Sequence, residues 1–106
     1  MTVAAPTASQ RLLYGSWQAK VGDSTATLII ITAAADGWVH GTLSYDPPRD
    51  GFAGAPFTTR IENGAFVIRF DNGTRYEDLH WCSATLCGKF YAPDDTVTGV
   101  VFTRPP

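Results

Sequence analysis

Residues 57–81 read FTTRIENGAFVIRFDNGTRYEDLHW. Asn63-Gly64 and Asn72-Gly73 each interrupt runs in which apolar and polar residues alternate. Asn-Gly is the strongest two-residue hairpin signal, because both central positions need positive φ. Three consecutive antiparallel strands are therefore expected in this stretch alone. Outward from it the same rhythm continues, with turns at Gly22-Asp23, Asp36-Gly37 and Pro93-Asp94-Asp95, and strands are expected over residues 14–21, 25–32, 38–45, 57–62, 65–71, 74–82, 86–92 and 96–104. No helical period competes. The predicted fold is all-β: a single antiparallel eight-stranded up-and-down meander barrel, with residues 1–11 as a flexible leader and 12–106 as the barrel domain.

Composition narrows the function classes. The chain of 106 residues has room for one core, and 44% hydrophobic with 12% aromatic residues belongs to a globular protein. Eight basic and ten acidic residues, dispersed along the chain, leave a net charge of −2 and no electrostatic footprint for nucleic acid or an anionic membrane. The longest uncharged apolar run, residues 26–35, is too short to cross a bilayer, so a soluble chain is expected. The Ala-, Thr-, Pro- and Ser-rich leader lacks the basic start and apolar stretch of a secretory signal; if the protein is exported, that signal has already been removed. Cys82 and Cys87, five residues apart, are placed to face each other across a hairpin and form a disulfide, which favours a secreted or periplasmic location; a pair of buried free thiols is the alternative. Neither His40 nor His80 sits at ligand spacing from the cysteines, so no metal and no cofactor is expected.

Residues directly opposite in an antiparallel pair share a face, so the turns set the register. Around Asn63-Gly64, Ile61 is expected to face Phe66, Thr59 to face Ile68 and Phe57 to face Phe70. Carried across Asn72-Gly73, the same inward face holds Arg75, Glu77, Leu79 and Trp81. A one-residue bulge after Asn72-Gly73 would instead turn Arg75 and Glu77 outward and Tyr76, Asp78 and His80 inward. Alternating strand direction gathers the turns at residues 22–24, 71–74 and 93–95 with the one long loop, 46–56, at a single end. That end is the expected mouth, lined by Tyr45, Phe57, Phe70, Arg75 and Glu77, with Arg49 and Phe52 reaching over from the loop. Trp17, Trp81, the cysteines and Arg104 collect at the other, sealed end.

Gly15-Ser16-Trp17 on the first strand, together with Arg104 on the last, resembles the calycin superfamily of lipocalins, fatty-acid-binding proteins, avidins and bacterial metalloprotease inhibitors. The resemblance implies that Trp17 and Arg104 are structural, a cation stacked on an indole across the closed end. The first three strands are most similar to avidins, through Gly-Ser-Trp, then residues 32–37, then Gly41-Thr42. Ala19 and Leu43 stand where the avidin pattern has its biotin-contacting Asn and Tyr, and only Ser24 matches a ligand contact, so the resemblance carries the fold and not biotin.

The function expected from these observations is a small exported binding protein that holds a largely apolar ligand through a polar anchor in the mouth, without catalysis. The alternative is a protein-protein interaction module or a protease inhibitor of calycin type that uses its leader. An enzyme employing Glu77 as acid or base beside Arg75 ranks last. His40 and His80 lack an evident catalytic partner, and Asn72-Gly73-Thr74 reads as a turn before it reads as a glycosylation site. The second strand is apolar on both faces, with Ile29 and Ile31 opposite to Leu28 and Ile30, which points to a homodimer contact.

Overall fold

A computed structural model describes residues 13–34, 36–49 and 51–105. The leader expected over residues 1–11 lies outside the described residues. Eight strands follow in chain order: β1 (Gly15–Val21), β2 (Ser24–Ala33), β3 (Trp38–Arg49), β4 (Phe52–Arg60), β5 (Ala65–Arg69), β6 (Arg75–Cys82), β7 (Thr85–Tyr91) and β8 (Val97–Phe102). They form two antiparallel four-stranded sheets, β1-β2-β3-β4 and β5-β6-β7-β8, and neither closes on itself. The alternating pattern of each strand explains the core. Trp17, Ala19 and Val21 from β1, Ala26, Leu28 and Ile30 from β2, and Val39, Leu43 and Tyr45 from β3 are buried against Phe66, Ile68, Tyr76, Leu79, Leu86, Phe90, Val100 and Phe102 of the second sheet.

The sheets meet along two seams of different character. Between β1 and β8, Gln18 and Thr103 exchange a pair of 2.8 Å backbone hydrogen bonds. Between β4 and β5 the expected hairpin starts and then splays. Glu62 and Ala65 exchange bonds of 2.8 and 3.1 Å around Asn63-Gly64, where both turn residues have positive φ, but no ladder continues beyond them. The pairings Thr59 with Ile68 and Phe57 with Phe70 are thus absent from the strand ladders. β4 instead stays with β3, with Phe57 opposite Gly41.

The sixth strand corrects both registers expected for it. Leu79 pairs with Phe66 and Tyr76 with Ile68, so β6 has one more residue than β5 over this interval; toward β7 the surplus falls between Glu77 and His80. Asp78 supplies the bulge, at φ +57°, a left-handed conformation that Asp tolerates better than most residues. Upstream of it the strand is flipped, with Tyr76 fully buried and Arg75 and Glu77 on the outside; downstream, Leu79 is fully buried and Trp81 half-buried, as in the unflipped register.

Two turns also depart from expectation. Residues 46–56 are not a free loop: β3 and β4 extend through most of them, as an irregular hairpin whose register shifts between Ser44 and Arg49. Gly54, at φ +137°, lets the strands approach there, since a Cβ on it would lie 2.3 Å from the Leu43 carbonyl oxygen. Cys82 pairs with Thr85, and His80 with Cys87, across a two-residue Ser83-Ala84 turn. The Cys82–Cys87 disulfide is formed, bridging the hairpin diagonally with its Cα atoms 5.7 Å apart.

Candidate ligand-binding site

The turns at one end of the molecule converge around the β3–β4 hairpin. Ser24, buried at the start of β2, donates its hydroxyl to the Pro47 carbonyl at 2.7 Å, and Arg49 donates Nη1–H to the Val21 carbonyl at 2.7 Å. These bonds clamp the hairpin over the end of β1. Phe52, half-buried on β4, folds across the end of the interior, with its ring centroid 5.9 Å from Tyr45 and 5.1 Å from Phe70. Beneath it the Tyr45 and Tyr76 hydroxyls meet at 2.5 Å, and Tyr76 is packed between Phe90 and Phe102. Burial raises the pKa of both tyrosines, and for Tyr76 the neighbouring Tyr45 hydroxyl raises it further. Every buried side-chain N or O atom among the described residues has a hydrogen-bond partner.

Of the residues expected at a mouth, Tyr45, Phe52 and Phe70 are therefore brought together, but as a plug. Phe57 is buried on the same inner face, with its ring over Gly41; that position is four residues from Tyr45 along β3, or about 13 Å at strand rise. Arg75 and Glu77 form a separate cluster outside. Arg75 Nε lies 3.0 Å from Glu77, its Nη1 2.8 Å from Asp95, and its Cζ 4.1 Å from the centre of the Tyr91 ring. Hydrogen bonds to Asp95 and then Glu77 raise the Arg75 pKa, so these charges satisfy one another on the surface.

Arg49 is different. It is half-buried, its Cζ stands 5.3 Å from the centre of the Phe90 ring, and among the described residues no carboxylate lies within 4.0 Å of it. One of its five N–H groups is used by Val21. The guanidinium borders two cavities. One, of about 150 Å³, lies against the β1–β8 seam and is lined by Lys20, Val21, Gly22, Phe90 and Val100 among others. The second, of about 350 Å³, is lined by Ala92, Pro93, Asp94 and Thr96. Gly22 leaves the guanidinium its place, since a Cβ there would be 2.7 Å from Arg49 Nη1. Lys20 Nζ donates to Thr25 at 3.1 Å on the rim. Asp94 accepts from the Thr96 backbone N–H at 3.0 Å, and its pKa is lowered chiefly by hydrogen bonding with Thr96. Alternation along the strands gave no sign of these cavities.

At the other end Arg104 lies flat on Trp17, with Cζ 3.8 Å from the ring centre, and donates to the Ser16 carbonyl at 3.1 Å. Trp17 donates its indole N–H to the Leu13 carbonyl at 2.9 Å and meets Trp81 edge-on at 5.6 Å. His40 bonds Thr58 and His80 bonds the Asp78 carbonyl, on different sheets. The Asn72 side chain accepts from the Thr74 N–H at 2.9 Å, closing the turn, and Thr74 is buried. No three His, Cys, Asp or Glu side chains cluster as a metal site among the described residues.

No protein-family profile, no curated protein and no solved structure matches this chain.

Proposed function

We propose that the protein is a small non-catalytic binding protein whose ligand is a compact, largely apolar carboxylic acid, anchored by Arg49. The observation that carries this reading is a half-buried guanidinium with no carboxylate of its own among the described residues, set between two cavities and against Phe90. An Arg in that setting recognises a carboxylate through paired N–H donors, while Val21, Phe90, Val100, Ala92 and Pro93 suit an apolar body. Calorimetric titration with hexanoate and phenylacetate, alongside the corresponding amides, tests it. Saturable binding of the acids alone, lost in Arg49→Gln and weakened in Gly22→Ala, is expected; equal binding of the amides, or binding unchanged in Arg49→Gln, rejects it.

In this reading the two sheets are one eight-stranded barrel of calycin type, interrupted along β4–β5 and held along β1–β8. The Trp17–Arg104 stack supports the relationship. The disulfide supports a secreted or periplasmic location. The exposed Ile29 and Ile31 on β2 support a homodimer contact, which sedimentation of a monomer at high concentration would remove. The protease-inhibitor alternative rests on residues 1–11, and deletion of that segment tests it directly.

A further inference from the structure

Asn63-Gly64 and Asn72-Gly73 flank β5, and all four residues are exposed. An asparagine followed by glycine has a reaction of its own: the glycine's backbone nitrogen, unhindered by a side chain, attacks the asparagine Cγ and expels ammonia. The two turns differ in how free the reacting atoms are. At the second, the Gly73 N–H donates to the Phe70 carbonyl at 3.1 Å, and the Asn72 side-chain oxygen accepts from the Thr74 N–H at 2.9 Å. A Cβ on Gly73 would lie 3.4 Å from Pro93, so this turn also rests against the turn between β7 and β8. At the first, neither the Asn63 side chain nor the Gly64 N–H makes a hydrogen bond among the described residues, and a Cβ on Gly64 would meet nothing within 4 Å.

The turns also differ in what must break for them to open. The Phe70 N–H donates to the Thr74 carbonyl at 3.0 Å, directly beyond the Arg69–Arg75 pair of the β5–β6 ladder. The Asn63-Gly64 turn is closed by the Glu62–Ala65 pair, with no ladder behind it. Loss of two bonds therefore releases Asn63 from its left-handed φ of +52° and lets its side chain turn toward the Gly64 nitrogen. We propose that Asn63 is a site of spontaneous deamidation and that the bonds around Asn72 protect it from the same reaction. The Gly64 nitrogen bonds to Cγ, the Cγ–Nδ2 bond breaks, and the Gly64 N–H proton passes through solvent to the departing nitrogen, which leaves as ammonia. Water then opens the succinimide. Opening at the former side-chain carbonyl leaves an aspartate beside Glu62 with the backbone unchanged. Opening at the main-chain carbonyl leaves an isoaspartyl link, which runs the chain through Cγ and lengthens the turn by one methylene. Glu62 and Ala65 then cease to oppose each other, so this form loses both backbone bonds of the β4–β5 turn.

Incubation of the purified protein at mildly alkaline pH, followed by peptide mapping with a mass-spectrometric fragmentation that separates aspartyl from isoaspartyl products, tests the proposal. A parallel sample in urea supplies the rates of the unfolded chain. In the folded protein Asn63 should deamidate about tenfold faster than Asn72, the rate factor that corresponds to roughly one hydrogen bond's net worth. Its product should be a mixture of both isomers, formed faster as pH rises. In urea the two rates should converge, because the bonds that set them apart are gone. Equal rates in the folded protein, Asn72 ahead of Asn63, a ratio that urea leaves unchanged, or an Asn63 product that is aspartyl alone would each overturn the proposal. So would a folded Asn63 that stays intact while the unfolded chain reacts there. Arg49 takes no part in this chemistry, so the result stands or falls separately from carboxylate binding.

Discussion

At one end of the molecule Trp17 is almost wholly buried, bonded to Leu13, crossed by Trp81 and covered by Arg104; at the other, Phe52 rests half-buried on Tyr45 and Phe70, on a hairpin clamped by single bonds from Ser24 and Arg49. Both ends are aromatic. They differ in how many independent contacts hold each ring and in whether empty volume adjoins it. The Trp17 end joins the first and last strands and is built for stability. The Phe52 end borders both cavities at Arg49, which has no carboxylate within 4.0 Å among the described residues.

Substitutions sharpen that contrast. Trp17→Ala should destabilise the protein most, by about 3–5 kcal/mol, through loss of a fully buried indole, measured by urea denaturation. Tyr76→Phe should cost about 1–3 kcal/mol, because the Tyr45 hydroxyl is left buried without its partner, and the double variant with Tyr45→Phe should recover part of the loss. The same pair sets an alkaline limit. Both tyrosines keep their protons in the folded state beyond the ordinary value near 10, while the unfolded chain releases them there. Their contribution to stability is therefore complete below about pH 10 and lost as pH rises above it, visible as a urea midpoint that falls above about pH 10. Phe52→Ala should cost only about 1–2 kcal/mol, since its ring is partly wet already; a loss as large as that of Trp17→Ala would abolish the distinction between the ends. Arg104→Gln should cost least, about 0.5–1 kcal/mol, as an exposed cation–π contact.

Much of the architecture was legible because each strand alternates and each tight turn carries Gly, Asn or Asp. The pairing of Gly15 with Ile30 and Val21 with Ser24 follows directly from Gly22-Asp23. The Trp17–Arg104 contact was legible too, through the resemblance to calycins. The register of β6 was not, since a bulge inside a strand leaves no turn residue to mark it: Asp78 sits in an ordinary alternating run, and its left-handed φ arises from packing Tyr76 and Leu79 inward together. Pro47, Pro48, Gly54 and Pro56 read as a loop, yet form an irregular hairpin because Gly54 admits the Leu43 carbonyl. Asn63-Gly64 announced a hairpin and delivered its turn, but turn chemistry says nothing about how far the ladder runs. Arg49 was expected at the mouth from its loop alone; that no carboxylate among the described residues lies within 4.0 Å of it appears only when distant strands are assembled.

Each sheet is a contiguous half of the chain, β1 to β4 and β5 to β8, in which every strand pairs with its sequence neighbour. Nearly all pairing is thus between near segments, and loop-closure entropy is small for each half. Among the described residues, only the bridge between Gln18 and Thr103 pairs the backbone of the first strand with that of the chain's last described residues. Chain assembly should accordingly proceed as two quick meanders followed by one slow docking step, and slackening the β1–β8 join should change the rate of that last event while each half still collapses at its own pace.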